Sequence, residues 1–250
     1  MSYLNTVPLV HGLGSADCDL TFAVPSECAR RVEAGQADLG IVPVAEMQRL
    51  GWDYVPGTGI AGFGAVRSIL LVSKVDPRRI RTLVTDTGSR TSVQLARVIL
   101  RNRYDVEPAV SPMAPNVDAM LAAADAGLLI GDAALRVDPS ALPYHVLDLG
   151  EEWWKLTRMP MVFALWAGPA ARIKELGRAR LESMFRRSLE SGLENLDDIV
   201  ASESASRGFT PALVREYLTR HLRFHIGPEE ERGLAAFLQH VTELEAHTVC

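Results

Sequence analysis

Apolar residues along this chain alternate between short continuous runs and helical spacings. Residues 37–44, 66–72 and 159–168 are runs too brief for helices, and they suit strands buried on both faces. Residues 81–86 form a fourth strand candidate, and the stretch opening at Asn116 predicts a short helix, a buried strand and a turn at Gly131 and Asp132. Helical signals fill the gaps. Over residues 25–35, Ser26 suits an N-cap, Glu27 the positive helix end and Gly35 the stop. Residues 87–104 place Val93, Ala96, Ile99 and Leu100 on one face. Beyond residue 168 the pattern predicts only helices, roughly over 171–192, 195–206, 211–221 and 228–247.

Ala37, Asp38, Gly40, Ile41 and Val42 match Ala124, Asp125, Gly127, Leu128 and Leu129 at one fixed offset, which fits either two similar units or chance. The expected architecture is α/β and two-lobed. The first lobe takes residues 1–74 and 164–250, with the C-terminal helices packing back on it, and the second takes residues 75–163. The runs at 66–72 and 159–168 would carry the chain across, and a ligand would sit in a cleft at the carboxyl ends of strands.

Composition narrows the classes. With 250 residues and 48% hydrophobic content the chain can bury one large core or two modest ones. No apolar run reaches the roughly 18 residues of a membrane span, and no secretory leader pattern opens the chain, so a cytoplasmic setting is expected. Cys18, Cys28 and Cys250 show no paired spacing, which predicts neither a disulfide framework nor a metal site. The net charge of -5 is mixed along the chain. This argues against a nucleic-acid groove and for a small-molecule ligand.

Two turns carry candidate chemistry. Residues 86–92, with Ser89, Thr91 and Ser92, follow a strand and open a helix, where hydroxyls and free backbone N–H groups favour a carboxylate. Arg67 and Ser68, entering the next strand, suit either a ligand contact or a surface ion pair. The glycines of residues 57–62 match a dinucleotide pattern but run into a strand instead of a helix, so a turn that comes close to the ligand or to another backbone is the better expectation. Glu151 and Glu152 suit a cleft or an ordinary amphipathic turn.

The opening residues Ser2, Tyr3, Leu4, Asn5, Thr6, Val7, Pro8 and Leu9 closely resemble the S-Y-L-N-T-x-P-L motif of chorismate dehydratases, enzymes of the futalosine route to menaquinone. Residues 24–46, 66–74, 86–100 and 128–136 resemble further family segments, so the likeness spans nearly the whole chain. It implies a type II periplasmic-binding-protein-like fold that converts chorismate to 3-[(1-carboxyvinyl)oxy]benzoate and water, with no metal or other cofactor. The expected catalytic residues are Asn5 and Ser68, and the expected substrate contacts are Tyr3, Thr6, Arg67, Ser89, Thr91, Ser92, Gly131 and Asp132. Asp132 also suits a plain helix cap, and the substrate's own enolpyruvyl carboxylate is the expected proton acceptor. Family members usually carry a central strand ahead of the motif, so either a truncated start or another segment filling that slot is expected here. A non-catalytic carboxylate-binding protein and the related 1,4-dihydroxy-6-naphthoate synthase remain as alternatives.

Overall fold

The computed structural model describes residues 3–14, 18–86, 88 and 90–248. Among them the strands are β1 (Gly40–Pro43), β2 (Asp53–Gly62), β3 (Ile69–Ser73), β4 (Thr82–Thr85), β5 (Ala109–Pro112), β6 (Ala126–Ile130), β7 (His145–Asp148), β8 (Met161–Gly168) and β9 (Arg223–Ile226). The chain divides into two compact units. One holds Met1–Ala61 and Val162–Glu231, the other Gly62–Met161 and Arg232–Cys250.

The first unit is built on a four-stranded sheet in the order β1-β8-β2-β9. β8 lies inside the sheet with all eight residues buried, which is why its sequence is an unbroken apolar run. β1 runs antiparallel to it, pairing Gly40 with Ala167 and Pro43 with Ala164. The glycine-rich residues 57–62, expected as a turn, are instead part of β2: a Cβ on Gly59 would stand 2.8 Å from the Ala164 carbonyl oxygen and 2.7 Å from Leu165, so a bare backbone lets β8 approach. Among the described residues no strand pairs with the outer edge of β1. A cavity of about 440 Å³, lined by Leu20, Phe22, Ile41, Trp166, Met184 and Phe185, is found in this unit, and Leu20, Phe22 and Val24 are exposed.

The second unit has a five-stranded sheet in the order β5-β4-β6-β3-β7. β4 is parallel to β5 and β6, whereas β3 is antiparallel to β6 and β7. One face packs Leu70, Val72, Val84 and Leu129 against Met120 and Leu121. The Arg90–Tyr104 helix buries Leu95, Val98, Ile99 and Leu100.

Two expectations about chain path differ from this division. The run at 66–72 does not leave the first unit, because β3 sits between β6 and β7 in the second sheet; the division falls at Ala61/Gly62 and Met161/Val162 instead of 74/75 and 163/164. Nor do all the C-terminal helices pack on the first unit. From Arg232 onward the Pro228–Thr248 helix belongs to the second, where Phe237 meets Trp153 edge to face at 5.9 Å and 82°. Both differences have one cause: an apolar run shows that a segment is buried, and says nothing of which sheet buries it.

Candidate functional site

In the first unit the opening motif folds into a 3₁₀ turn, Leu4–Thr6, followed by the short Val7–Val10 helix with Pro8 in its first turn. Tyr3 precedes the turn in an extended conformation and is half-buried. Leu4 and Leu9 are fully buried and anchor the turn. Ser188, on the Arg178–Glu194 helix, donates to the Leu9 carbonyl at 2.8 Å and accepts the Gly12 N–H at 3.2 Å. Thr6 is buried, and its hydroxyl donates to the Tyr3 carbonyl at 2.8 Å. That proton serves the turn itself. The Asn5 carbonyl oxygen Oδ1 is buried with no hydrogen-bond partner, the kind of open acceptor that a folded protein normally satisfies with a ligand or water.

In the second unit the strand directions gather the other candidates. Because β4 and β6 are parallel and β3 is antiparallel to β6 and β7, the carboxyl ends of β4, β6 and β7 and the start of β3 share one end of the sheet. Asp86, Gly131 with Asp132, Asp148, and Arg67 with Ser68 all stand there.

Arg67 has a left-handed backbone, φ 60°, which is uncommon for a residue with a Cβ. Its N–H donates to Asp148 Oδ2 at 2.6 Å, and the Val66 N–H donates to both Asp148 oxygens at 3.0 Å. The guanidinium Nη2 donates to the Val137 carbonyl at 3.1 Å, while Nη1 is buried without a hydrogen-bond partner. An open guanidinium N–H is suited to a carboxylate. Ser68 is buried, and its carbonyl accepts the Gly131 N–H at 2.8 Å. Gly131 has φ 57° and opens the Gly131–Leu135 helix; Ile130 holds the N-cap position and Asp132 the first turn.

The expected anion turn is described at Asp86, Gly88 and residues 90–92; Ser89 lies outside the described residues. Thr91 and Ser92 are buried in the first turn of the Arg90–Tyr104 helix. Burial pushes the Asp86 carboxyl above the ordinary carboxylate range, opposed by the Gly88 N–H at 2.8 Å. Burial likewise raises Asp148, against four backbone N–H donors that favour its anion. Sequence reasoning did not single out Asp148. Its only signal was the Asp148-Leu149-Gly150-Glu151 string, a helix-start pattern that does not show what else the carboxylate accepts. Among the described residues no three His, Cys, Asp or Glu side chains group as a metal site would require. No helix among them is long and apolar enough to cross a membrane.

Residues 1–243 match the family described as menaquinone biosynthesis. The chain belongs to that family. It is 29% identical to a chorismate dehydratase of Thermus thermophilus over an alignment covering 95% of this chain and 92% of the relative. Among solved structures, an Archaeoglobus fulgidus protein superposes with a TM-score of 0.74 at 16% identity, covering 99% of this chain and 94% of its own. The periplasmic aliphatic sulphonate binding protein of Escherichia coli superposes with a TM-score of 0.67 at 14% identity, covering 98% and 85%. At these identities the likeness establishes the fold, which is α/β and periplasmic-binding-protein-like as expected.

Proposed function

We propose that this family member is a hydro-lyase that converts chorismate to 3-[(1-carboxyvinyl)oxy]benzoate and water, in the futalosine route and in the cytoplasm. The observation that carries the reading is the similarity to the Thermus chorismate dehydratase along almost the full length of both chains. The chemistry of the candidate residues supports it. Chorismate is a dicarboxylate with a ring hydroxyl, and this chain offers an open guanidinium N–H at Arg67, hydroxyl residues Thr91 and Ser92 at a helix start, and an open amide acceptor at Asn5.

The reaction breaks the C3–H and C4–O bonds and makes the ring aromatic. The C3 proton passes to the substrate's enolpyruvyl carboxylate and ends on the departing hydroxyl, so one water leaves with no change of oxidation state. The protein's tasks are to bind the two carboxylates, orient the hydroxyl and steady the proton transfer. In this reading Arg67 and the helix start hold carboxylate, Asn5 Oδ1 accepts from the C4 hydroxyl, and Ser68 stands beside the reacting carbons. Tyr3, Thr6, Gly131 and Asp132 shape the surroundings.

The test is incubation with chorismate, followed by ultraviolet absorbance and product mass. The expected product is aromatic and one water lighter than chorismate. Chorismate bound and recovered unchanged would make the chain a carboxylate-binding protein, and chorismate neither bound nor altered would overturn the reading altogether.

A further inference from the structure

We propose that Asp148 is a positioning residue for this site: it clamps the Val66-Arg67-Ser68 turn and thereby aims the Arg67 guanidinium and the Ser68 hydroxyl. The inference rests on the reading that Arg67 and Ser68 meet the substrate.

Asp148 is the N-cap of the Leu149–Thr157 helix, where its Oδ1 accepts the Gly150 N–H at 3.0 Å and the Glu151 N–H at 3.2 Å. Capping requires no more than these. The carboxylate nevertheless takes two further N–H groups, from Val66 and Arg67, which lie 82 and 81 residues earlier in the chain. The Arg67 contact, at 2.6 Å, is the shortest of the set. It is made by the residue whose left-handed backbone is costly for any side chain larger than glycine.

The neighbouring geometry fits a clamp. A Cβ on Gly150 would stand 2.6 Å from the Gly64 carbonyl oxygen and 2.7 Å from Val66, so the helix start reaches the turn only because position 150 is bare. On the far side Gly131 donates to the Ser68 carbonyl at 2.8 Å. The turn is therefore held by β6 and by the corner after β7. The Asp148 charge is met by backbone donors rather than by the guanidinium, so Arg67 Nη1 is left buried and open while the backbone beneath it is fixed. A carboxylate ligand would find that N–H in place, without the cost of ordering a long side chain.

Three residues at position 148 separate clamping from capping, since Asp, Asn and Ser cap helices about equally well. Asn keeps one acceptor oxygen but presents an NH2 group to the backbone donors, and Ser is too short to reach Val66 and Arg67 while still capping Gly150. A capping role predicts equal kcat/KM for the parent, Asp148→Asn and Asp148→Ser. The clamp predicts a graded fall in that order, to about 100-fold for Asp148→Ser, with higher KM from the misplaced Arg67 and lower kcat from the misplaced Ser68.

The second readout needs no substrate. The Arg67 amide proton, bonded to a carboxylate at 2.6 Å, should resonate far downfield in the parent spectrum and return toward ordinary values in Asp148→Ser. An unmoved amide proton, or a moved one with kcat/KM held within twofold of the parent, overturns the proposal. If the parent leaves chorismate unchanged, the functional reading fails and the amide proton alone decides the clamp. If Asp148→Ser does not fold, Asp148→Asn carries both measurements.

Discussion

Asn5 and Thr6 are neighbours in one 3₁₀ turn, and their side chains are used differently. Thr6 donates to the Tyr3 carbonyl and is buried, so its hydroxyl proton is committed to the fold. Asn5 keeps a buried carbonyl oxygen without a partner, which fits the ligand contact proposed for it. If it orients the ring hydroxyl, Asn5→Ala should lose mainly kcat, because contacts made chiefly in the transition state leave the remaining binding site intact. Asn5→Asp should lose affinity as well, since at about pH 7.5 an unperturbed carboxylate is ionised and would repel a dianion. Product affinity measured by calorimetry beside kcat distinguishes the cases, with both variants shown to be folded. An Asp variant as active as the parent would make residue 5 a base. The motif itself was legible in the sequence, but the division of labour within it was not, because hydroxyl and amide side chains show their partners only once the turn has closed.

At the scale of elements, legibility followed burial. β1, β8 and the first four residues of β3 are unbroken apolar runs, and their letters alone mark them as strands; β5 has four exposed residues including Pro112 at a sheet edge, and β9 only two buried ones, Phe224 and Ile226. Such short edge strands are specified by their partners more than by their own letters. Charge placement was harder still. Glu152 suggested either a cleft acid or a plain amphipathic turn, and it is a buried tie between helices. It accepts from Arg103 at 2.8 Å, from the Tyr104 hydroxyl at 2.9 Å and from Lys155 at 3.0 Å. Burial raises its carboxyl, but the hydrogen bonds from Lys155, Tyr104 and Arg103 prevail and hold it below the ordinary carboxylate range. A depressed folded value means that the contribution to stability is full above the unfolded carboxylate pKa and is lost as pH falls through the folded one. Glu152→Gln should therefore cost about 1.5–3 kcal/mol at neutral pH and flatten the acid limb of the melting curve. Parallel curves for parent and variant between pH 7 and acid would show that Glu152 carries no such linkage.

At the scale of the molecule, the two-unit α/β class was visible from alternating runs, whereas the boundaries were not. The chain passes between units within β2 and β8 and within the Pro228–Thr248 helix, and nothing in a strand or helix pattern marks a point where the supporting core changes. The C-terminal helix makes this testable. Its Phe237 is fully buried against Trp153, itself fully buried and tied by its Nε1–H to the Pro160 carbonyl at 3.1 Å. Further along the same helix, Glu245 accepts from Gln94 at 3.1 Å. Phe237→Ala should cost about 3–5 kcal/mol, the usual range for emptying a buried aromatic site. The loss should be local in kind. Amide exchange should quicken in β3, β6 and the Arg90–Tyr104 helix, whose unit has lost a support, before it quickens in β1 and β8. A helix that served the first unit would give the reverse order, so faster exchange in β1 and β8 with β3 and β6 unchanged would return the C-terminal residues to the first unit.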